Sequence, residues 1–417
     1  MDPLPLFRDK KEKTYFFISI FIIFCINIYL HFIDYKKFTN NEVYQTDAII
    51  LNIYQKDKFD VLKLQTKNSQ INFAFFTSSY EKNNYKKLQN INLFIVTKNI
   101  SFLQYLKGFF GKSFGISILD TKITTKSKVY EYIESQHTSS DITSLYSALF
   151  LATNINQNIR ELCSSFGISH LVAISGFHLG VISFVLYFLI HIFYNKIHQV
   201  YFPYRNKRFD ILILVSIILF SYLLFVDLVP SLLRAFVMFI FGLFLLRNNI
   251  KILSFETLLI VLLFIIALFP KLLFSLSLWF SITGVFYIFL FLQYFKNLNK
   301  YIQLLLFNFW IFFAMNPIVH FFFEDTSLTQ LLSPILTLLF TIFYPLMAFL
   351  HIVGLGYLFD NLLIDVIKLN IDIESIKTPL WFFISYIFVS FYSIISKKGF
   401  ILLNILFLLF GIKLFFI

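Results

Sequence analysis

The sequence predicts an α-helical polytopic membrane protein with about nine or ten spans and one small β-barrel domain outside the membrane. Hydrophobic residues occupy 58% of the 417 positions, and the mean hydropathy of +0.76 is far above that of a soluble globular domain. Apolar runs of about 20 residues, the length that crosses a bilayer, recur from Tyr15 to Ile417. From Glu42 to Asp120, by contrast, apolar and polar residues alternate as they do in strands.

The first apolar run, Tyr15–Ile33, is predicted to be a retained transmembrane anchor within residues 1–35. The run is longer than the apolar core of a signal peptide, and charged residues follow it instead of a small-residue cleavage site. A basic flank before the run places the N-terminus in the cytoplasm and the next domain outside: Arg8, Lys10, Lys11 and Lys13.

Residues 36–130 are predicted to form a basic domain of five short strands, near residues 43–53, 59–64, 69–76, 91–96 and 115–119. Between Lys36 and Lys128, fifteen lysines stand against six acidic residues, which suits an anionic partner. Aromatic residues are interleaved with these lysines, as in barrels that bind single-stranded nucleic acid. The candidate contacts are Lys56, Lys58, Lys63, Lys67, Phe59, Phe73 and Phe75. The alternative is that the phenylalanines form the core and the lysines a solvated face.

The remainder of the chain is predicted to be helical. Residues 138–167 have apolar positions at helical spacing and suit an amphipathic helix in the membrane interface. A transmembrane domain follows at residues 168–358, and its second span is expected at His170–Tyr194. Prolines and glycines between residues 327 and 357 predict a broken or re-entrant element. A polar connector and the last transmembrane helices are expected at residues 359–417.

One end of the second span carries an unusual set of polar and small residues: His170, Ser175, Gly176, His178 and Gly180. Polar side chains are expensive inside a membrane, so each is a functional candidate. Ser175 and His178 share a face if the helix is unbroken, and Gly176 and Gly180 would let another helix approach closely. The alternative is a packing helix whose histidines are satisfied near the interface.

A second cluster combines a turn with the start of a helix: Asp227, Pro230, Ser231 and Arg234. Pro230 suits the first helical turn, and Arg234 can then reach toward Asp227 or toward a pore. An arginine at that depth binds a phosphate or balances a carboxylate. A snorkelling arginine without a role is the alternative.

The sequence gives no sign of a cofactor. Cys25 and Cys163 lie far apart and have no metal-ligand spacing, so neither a disulfide nor a metal site is expected. No Gly-Lys-Ser/Thr phosphate-binding loop occurs, so energy for transport would come from elsewhere.

Several stretches resemble the ComEC competence family of DNA-uptake channels. His170-Leu-Val-Ala-Ile-Ser-Gly-Phe-His-Leu-Gly180 is similar to that family's first signature almost residue by residue, and Pro230-Ser-Leu-Leu-Arg-Ala235 resembles its Pro-Ser-x-x-Arg-Ala element. The stretches Phe274 to Gly284 and Ser327 to Leu350 resemble two later elements of the family, in the same order.

The resemblance implies an inner-membrane channel that takes single-stranded DNA into the cytoplasm of a bacterium during natural transformation, and not an enzyme. It also implies that the strand domain is OB-like and periplasmic. Together with Arg234 and the motif at His170–Gly180, Arg160 would line or brace the path of the strand. The expected partners are an external DNA receptor, a separate nuclease, and a cytoplasmic motor or single-strand-binding proteins. A homo-oligomer is left open.

The chain departs from many family members because no His-x-His-x-Asp-His motif of a metallo-β-lactamase-like domain occurs, so a short form is expected. Two other functions remain open. A small-solute secondary transporter is compatible with the interrupted helices. An intramembrane serine hydrolase is suggested by Ala173-Ile-Ser-Gly176, which resembles the Gly-x-Ser-Gly of rhomboid proteases.

Overall fold

A computed structural model describes residues 7, 9–55, 58–67, 71, 73–80, 85, 87–119, 125–226, 229–248, 254–369 and 371–416. Lys56 and Asp227, two of the predicted site residues, lie outside the described residues.

Sixteen α-helices are found in the described part of the chain. They are α1 Lys10–Phe38, α2 Phe102–Lys107, α3 Thr125–Glu134, α4 Ser140–Leu151, α5 Gln157–Ser165, α6 Ser169–Val172, α7 Gly176–Tyr201, α8 Lys207–Phe225, α9 Pro230–Arg247, α10 Phe255–Leu268, α11 Leu276–Phe295, α12 Lys300–Phe322, α13 Ser333–Val353, α14 Asp360–Ile367, α15 Leu380–Tyr392 and α16 Lys397–Phe416. Three 3₁₀ turns occupy Pro270–Phe274, Leu328–Leu332 and Gly356–Phe359.

The strands lie mostly before residue 120. They are β1 Val43–Gln55, β2 Asp60–Thr66, β3 Ala74–Ser79, β4 Asn90–Val96, β5 Phe109–Phe110, β6 Ser113–Ile118, β7 Asp325–Thr326 and β8 Glu374–Ser375.

The chain divides into two compact units. The sheet unit comprises residues 5–132 and 260–278, and the helical unit comprises residues 133–259 and 279–417.

The sheet unit is built on six strands in the order β5-β3-β2-β1-β4-β6. β1 lies in the middle and pairs antiparallel with β2 and β4. Buried and half-buried residues alternate along β2 and β4, as expected when one face of a sheet covers a core. The alternation predicted from the sequence is confirmed, and the strand that was not predicted is β5, which has only two residues.

The two outer strands of this sheet follow each other in the chain. β5 pairs with β3, β6 pairs with β4, and residues 111–112 join them. The backbone N–H of Gly111 donates to the carbonyl of Phe76 at 2.8 Å, and that of Val96 donates to Lys112 at 2.9 Å. The segment therefore connects both edges of a strongly curled sheet. A small sheet is confirmed, whereas the strand order does not describe a closed barrel.

The last turn of α1 reaches the core of this unit. Phe38 is fully buried, and its ring centroid lies 4.7 Å from that of Phe73. Higher in the same helix, Asn27 Nδ2 donates to the carbonyl of Ala267 at 2.8 Å. The transmembrane anchor and the sheet therefore share one hydrophobic core.

Seven described helices are long and apolar enough to cross a membrane: α1, α7, α8, α11, α12, residues 328–353 with α13, and α16. Two shorter apolar helices, α10 and α15, and the 18-residue α9 are not among the seven. The prediction of a multi-pass helical membrane protein is confirmed, and the predicted count of nine or ten spans is higher than these seven.

Three predicted boundaries change. The interfacial helix expected at residues 138–167 is two helices, α4 and α5, because the chain turns at Ala152 with a left-handed φ of 57°. The span expected from His170 is interrupted before α7, which begins at Gly176. The element expected to break between residues 327 and 357 contains the continuous helix α13, which runs through Pro345 and ends at Gly354.

The last helices form a bundle with its own aromatic core, in which α11 and α12 pack with α15 and α16. Two polar side chains inside it bond across helices: Trp310 Nε1 donates to Asn404 Oδ1 at 2.8 Å, and Tyr386 Oη donates to the carbonyl of Ala314 at 2.8 Å. Lipid is as apolar as the side chains of these helices, so the hydrophobic effect does not drive the helices together. Interhelical hydrogen bonds of this kind therefore fix their relative positions.

The buried Phe75 gives a direct test of the sheet core. Phe75→Ala leaves a cavity in the sheet unit and is expected to destabilise it by about 3–5 kcal/mol. Phe110→Ala is the control, since this side chain is 57% exposed and its removal should have little effect. Hydrogen exchange of the β2 and β3 amides in the full chain measures both. Equal effects of the two substitutions would contradict the assignment of Phe75 to the core.

Candidate functional site

Three of the four sequence motifs meet inside the helical unit, where α7, α9 and α13 pack together. The first motif supplies the start of α7, the second supplies the start of α9, and the late motif supplies α13. The remaining motif, near Phe274 to Gly284, lies in a 3₁₀ turn and in α11, and α11 packs in the core of the last bundle.

Ser175 and His178 form a cap on the first turn of α7. Ser175 is the N-cap residue with extended backbone, and its Oγ accepts the N–H of Phe177 at 3.3 Å. The Ser175 N–H donates to His178 Nδ1 at 3.2 Å, and Ser175 Oγ lies 3.3 Å from the same nitrogen. This reciprocal arrangement is a capping box with His in the place usually held by Glu or Gln. The motif therefore satisfies a helix terminus in an apolar environment.

The cap also bears on the hydrolase alternative. His178 Nδ1 accepts the N–H of Ser175 and lies 3.3 Å from Ser175 Oγ, and the His178 ring packs against Phe340 at 5.4 Å and Tyr344 at 4.8 Å. Capping and packing therefore account for the spacing of Ser175 and His178, and a catalytic pair of serine nucleophile and histidine base is not needed to explain it.

His170 is not part of this cap. It lies in the short helix α6 and is exposed, whereas His178 is fully buried in α7. The expectation that both histidines stand on one helix is wrong, because Ala173 has extended backbone and ends α6.

The two glycines of the first motif differ in their surroundings. A Cβ placed on Gly176 would lie 3.5 Å from the Cβ of Ala235 in α9, so the first and second motifs touch at this point. A Cβ on Gly180 would meet no described atom within 4 Å. Gly180 therefore does not form a close helix contact within the described part of the chain, and the predicted small-residue pair is wrong for this position.

The second motif starts α9 as predicted. Pro230 stands in the first turn, where its missing N–H leaves no hydrogen bond unmade, and Ser231 is half-buried. Arg234 is only 4% exposed, next to the apolar cluster that α9 forms with α7 and α8. A snorkelling arginine would place its head group in water, so this side chain belongs to the interior of the unit.

The late motif, Ser327 to Leu350, bonds to the segment that precedes the first motif. Gly167 adopts a left-handed φ of 65°, and its carbonyl accepts Ser333 Oγ at 3.0 Å. Gln330 Nε2 donates to the carbonyl of Ser164 at 3.0 Å, and Ser164 Oγ donates to Asp325 at 2.8 Å. These bonds fix the end of α5 against the start of α13.

Arg160 lies on α5 and is exposed, so it does not meet Arg234 or His178 in the interior. The loop before α5 is fixed to α4 through Asp141, whose carboxylate accepts Asn156 Nδ2 and Asn158 Nδ2, both at 3.1 Å. The amide-rich stretch therefore closes the α4–α5 connection.

The structure contains a buried cluster of ionisable residues that no sequence motif indicates. His137 Nδ1 lies 2.9 Å from Asp360 Oδ1, and His137 Nε2 lies 3.0 Å from His351 Nε2. The Tyr146 ring stacks on His137 at 4.9 Å. Burial and the charge of Asp360 together raise the pKa of the Tyr146 hydroxyl. His137 and Asp360 are 223 residues apart in the chain, which is why no local pattern indicates their contact.

The lysines predicted to bind DNA lie at the surface of the sheet unit. Lys58 and Lys67 are exposed, and Lys63 is half-buried with its Nζ 5.8 Å from the centre of the Phe76 ring. Half-buried Phe59 packs on Tyr80 at 5.6 Å, and Tyr80 is 75% exposed.

Two predicted contacts are corrected. Phe73 and Phe75 are 4% and 0% exposed and belong to the core of the sheet unit. They pack on Phe109 at 5.6 and 5.7 Å and have no free face for a base, so the prediction that they stack on DNA is wrong. On β3, Phe76 points to the opposite face from Phe75, so Phe76 is partly accessible there, and Tyr80 just beyond β3 is exposed.

Within the described residues, no group of three or more His, Cys, Asp or Glu side chains is arranged to hold a metal ion. Cys163 is buried, and burial raises the pKa of its thiol to about 12. This thiol therefore stays protonated and packed.

The apolar helices and the polar motifs that converge between them define a multi-pass membrane protein with an additional sheet unit. The model of the competence protein family matches residues 152–416, which is most of the helical unit and more than half of the chain. The chain belongs to this family, of the ComEC type that the motifs resemble. No curated protein and no solved structure matches the chain.

The capping box predicts a graded response to substitution. Ser175→Ala removes the acceptor for the N–H of Phe177 and is expected to cost about 1 kcal/mol, whereas Ser175→Thr keeps a hydroxyl and should be close to neutral. Hydrogen exchange at the amides of Phe177 and His178 measures the change. If Ser175→Ala left this exchange unaltered while Ser175→Thr raised it, the capping role would be disproved.

Proposed function

We propose that this protein is an inner-membrane channel through which single-stranded DNA enters the cytoplasm during natural transformation. The observation that carries the proposal is membership of the competence protein family, whose match covers most of the helical unit. The seven apolar helices support a role within a membrane. The basic flank of α1 supports a cytoplasmic N-terminus and a periplasmic sheet unit.

The sheet unit is proposed to be an OB-like domain that receives the strand. Its curled sheet joins both edges through residues 109–118, which is compatible with a small barrel. On the outer face, Lys63 lies across from Phe76, and the exposed Tyr80 packs on Phe59. Lysines neutralise phosphates and aromatic rings stack on bases, so this surface suits a single strand better than the buried rings do.

The strand is proposed to pass between helices near the converging motifs. Arg234 provides a positive charge within a membrane bundle, where ionisable residues mark the paths of ions and substrates. The Ser175 and His178 cap and the contact between Gly176 and Ala235 hold α7 and α9 around it. In this proposal Arg160, exposed on α5, guides phosphates at the entrance to the path.

The proposal assigns the remaining steps to partners. An external receptor would deliver the DNA, a separate nuclease would remove one strand, and a cytoplasmic motor or single-strand-binding proteins would pull the other inward. Association of several copies of the chain is compatible with this scheme.

Charge reversal at Arg234 tests the proposed path. Cells in which the gene is deleted and complemented with Arg234→Glu should keep labelled DNA in a nuclease-protected periplasmic pool and yield few transformants. The buried carboxylate would repel phosphates at short range in a medium of low dielectric constant. Arg247→Glu is the matched control, because Arg247 lies at the exposed end of the same helix. Normal transformation by the deletion strain would refute the channel and favour a solute transporter.

Substitutions on the sheet unit test DNA binding separately. Single reversals of Lys58, Lys63 and Lys67 to Glu should each weaken binding of a labelled oligonucleotide, and each lost phosphate contact should lower the slope of log affinity against log salt by about 0.7. Tyr80→Ala should weaken binding without changing that slope, since stacking releases no counterions. Lys368→Glu, at the C-cap of α14 in the helical unit, is the control. Unchanged affinity in all four variants would remove the sheet unit from the DNA path.

A further inference from the structure

The buried cluster of His137, His351 and Asp360 is not used by the proposed channel. Its residues come from the α3–α4 loop, the end of α13 and the start of α14, all within the helical unit. The His137 side chain is fully buried, and that of Asp360 is 10% exposed. Buried charged and polar groups require hydrogen-bond partners. Each contact needs one hydrogen and one acceptor, so the contacts of the cluster show how many protons it holds.

The outer contacts fix one proton on each imidazole. His351 Nδ1 lies 2.7 Å from the carbonyl of Met347, which can only accept, so this nitrogen carries hydrogen. His137 Nδ1 lies 2.9 and 3.1 Å from the two oxygens of Asp360, so it also carries hydrogen when Asp360 is ionised. Each neutral histidine has a single ring proton, and both are thereby assigned.

The inner contact then requires one more proton. The two Nε2 atoms are 3.0 Å apart, a hydrogen-bond distance, yet both would present lone pairs if the histidines were neutral. A third proton between them makes the contact a hydrogen bond and leaves one positive charge beside the carboxylate. If the proton moves to Asp360 instead, all three side chains are neutral and the cluster still holds the same number of protons.

We propose that His137, His351 and Asp360 form a buried binding site for a single proton. The ring of Tyr146, stacked on His137, favours the charged form because the face of an aromatic ring attracts a cation. Tyr146 is the titratable group that α4 directs at the cluster, and its buried hydroxyl stays protonated. Gln136 and Phe150 add neutral contacts around His351.

A metal ion fits this geometry less well. Two Nε2 ligands of tetrahedral zinc, each at about 2.0–2.1 Å, stand about 3.3 Å apart, farther than the 3.0 Å found here. No third ligand completes a metal site within the described residues. A proton, in contrast, requires the distance that is observed.

Binding of the proton holds three segments together. Gln136 Oε1 accepts the N–H of Gly356 at 2.9 Å, and Gln136 Nε2 donates to the carbonyl of His351 at 3.2 Å. A Cβ on Gly356 would lie 2.7 Å from Gln136 Oε1, which shows how closely the segments approach. Loss of the proton would leave two facing lone pairs and an unbalanced carboxylate, so these segments should separate more readily.

The test is the pH dependence of local opening in the purified full-length protein. After correction for the intrinsic pH dependence of amide exchange, the opening constant at residues 351–360 should rise about tenfold per pH unit above the ordinary histidine pKa of about 6.5. Burial of His351 by itself disfavours a charged imidazole, whereas the facing Nε2 atoms and the carboxylate of Asp360 require the proton. The sign of the proposal follows from linkage: the closed state holds one proton more than the open state, so opening becomes easier as pH rises.

Two variants separate the proton from mere packing. In His351→Gln the amide can donate to His137 Nε2, so the inner contact is satisfied without the extra proton and the tenfold dependence should vanish. Asp360→Asn removes the charge that balances the proton and should abolish the dependence in the same way. His198→Gln, a change elsewhere in the helical unit at a histidine that contacts the Arg205 carbonyl, should keep it.

Three results would overturn the proposal. They are opening that does not depend on pH in the wild type, a dependence that survives in either cluster variant, and stabilisation by added zinc that a chelator reverses. The last result would assign the cluster to a metal. None of these measurements requires DNA uptake, so the proton site and the proposed channel can fail independently.

Discussion

The absence of water in the hydrocarbon layer constrains the whole helical unit, because a polar group there has to be paired within the protein. Helix α13 shows the result. Ser333 at its start bonds to Gly167, Tyr344 in its middle contacts His178, and His351 near its end joins the ionisable cluster. The family motifs therefore read as a set of hydrogen-bond and packing partners that position helices, and among them Arg234 is a buried cationic residue.

Local features of the fold are predictable from the sequence because their causes are local. Apolar runs indicate the membrane helices, Pro230 indicates the start of α9, and alternation between Glu42 and Asp120 indicates strands. The same reasoning gives the direction of the lysines, which are polar and lie outward. It does not decide which rings lie inside, since Phe75 and Phe76 are adjacent and only the strand pairing directs Phe75 to the core.

The remaining features depend on partners that are distant in the chain. From the sequence, Ser175 and His178 look like catalytic residues on one helix face. The structure shows that α7 begins between them, so their spacing is that of a helix cap. His137 and Asp360 look like isolated polar residues of a loop and a connector, because 223 positions separate them. Nothing in a single sequence marks such a pair, whereas burial and hydrogen-bond geometry identify it at once.

The motif site and the ionisable cluster are joined by side chains in contact. His178 packs on Tyr344 at 4.8 Å, Tyr344 on Phe150 at 5.9 Å, and Phe150 on His351 at 5.1 Å. Close-packed rings transmit displacement because they leave little free volume. Tyr344 and His351 both belong to α13, so a shift of this helix would alter its contact with the cap on α7 together with the histidine contact near its end.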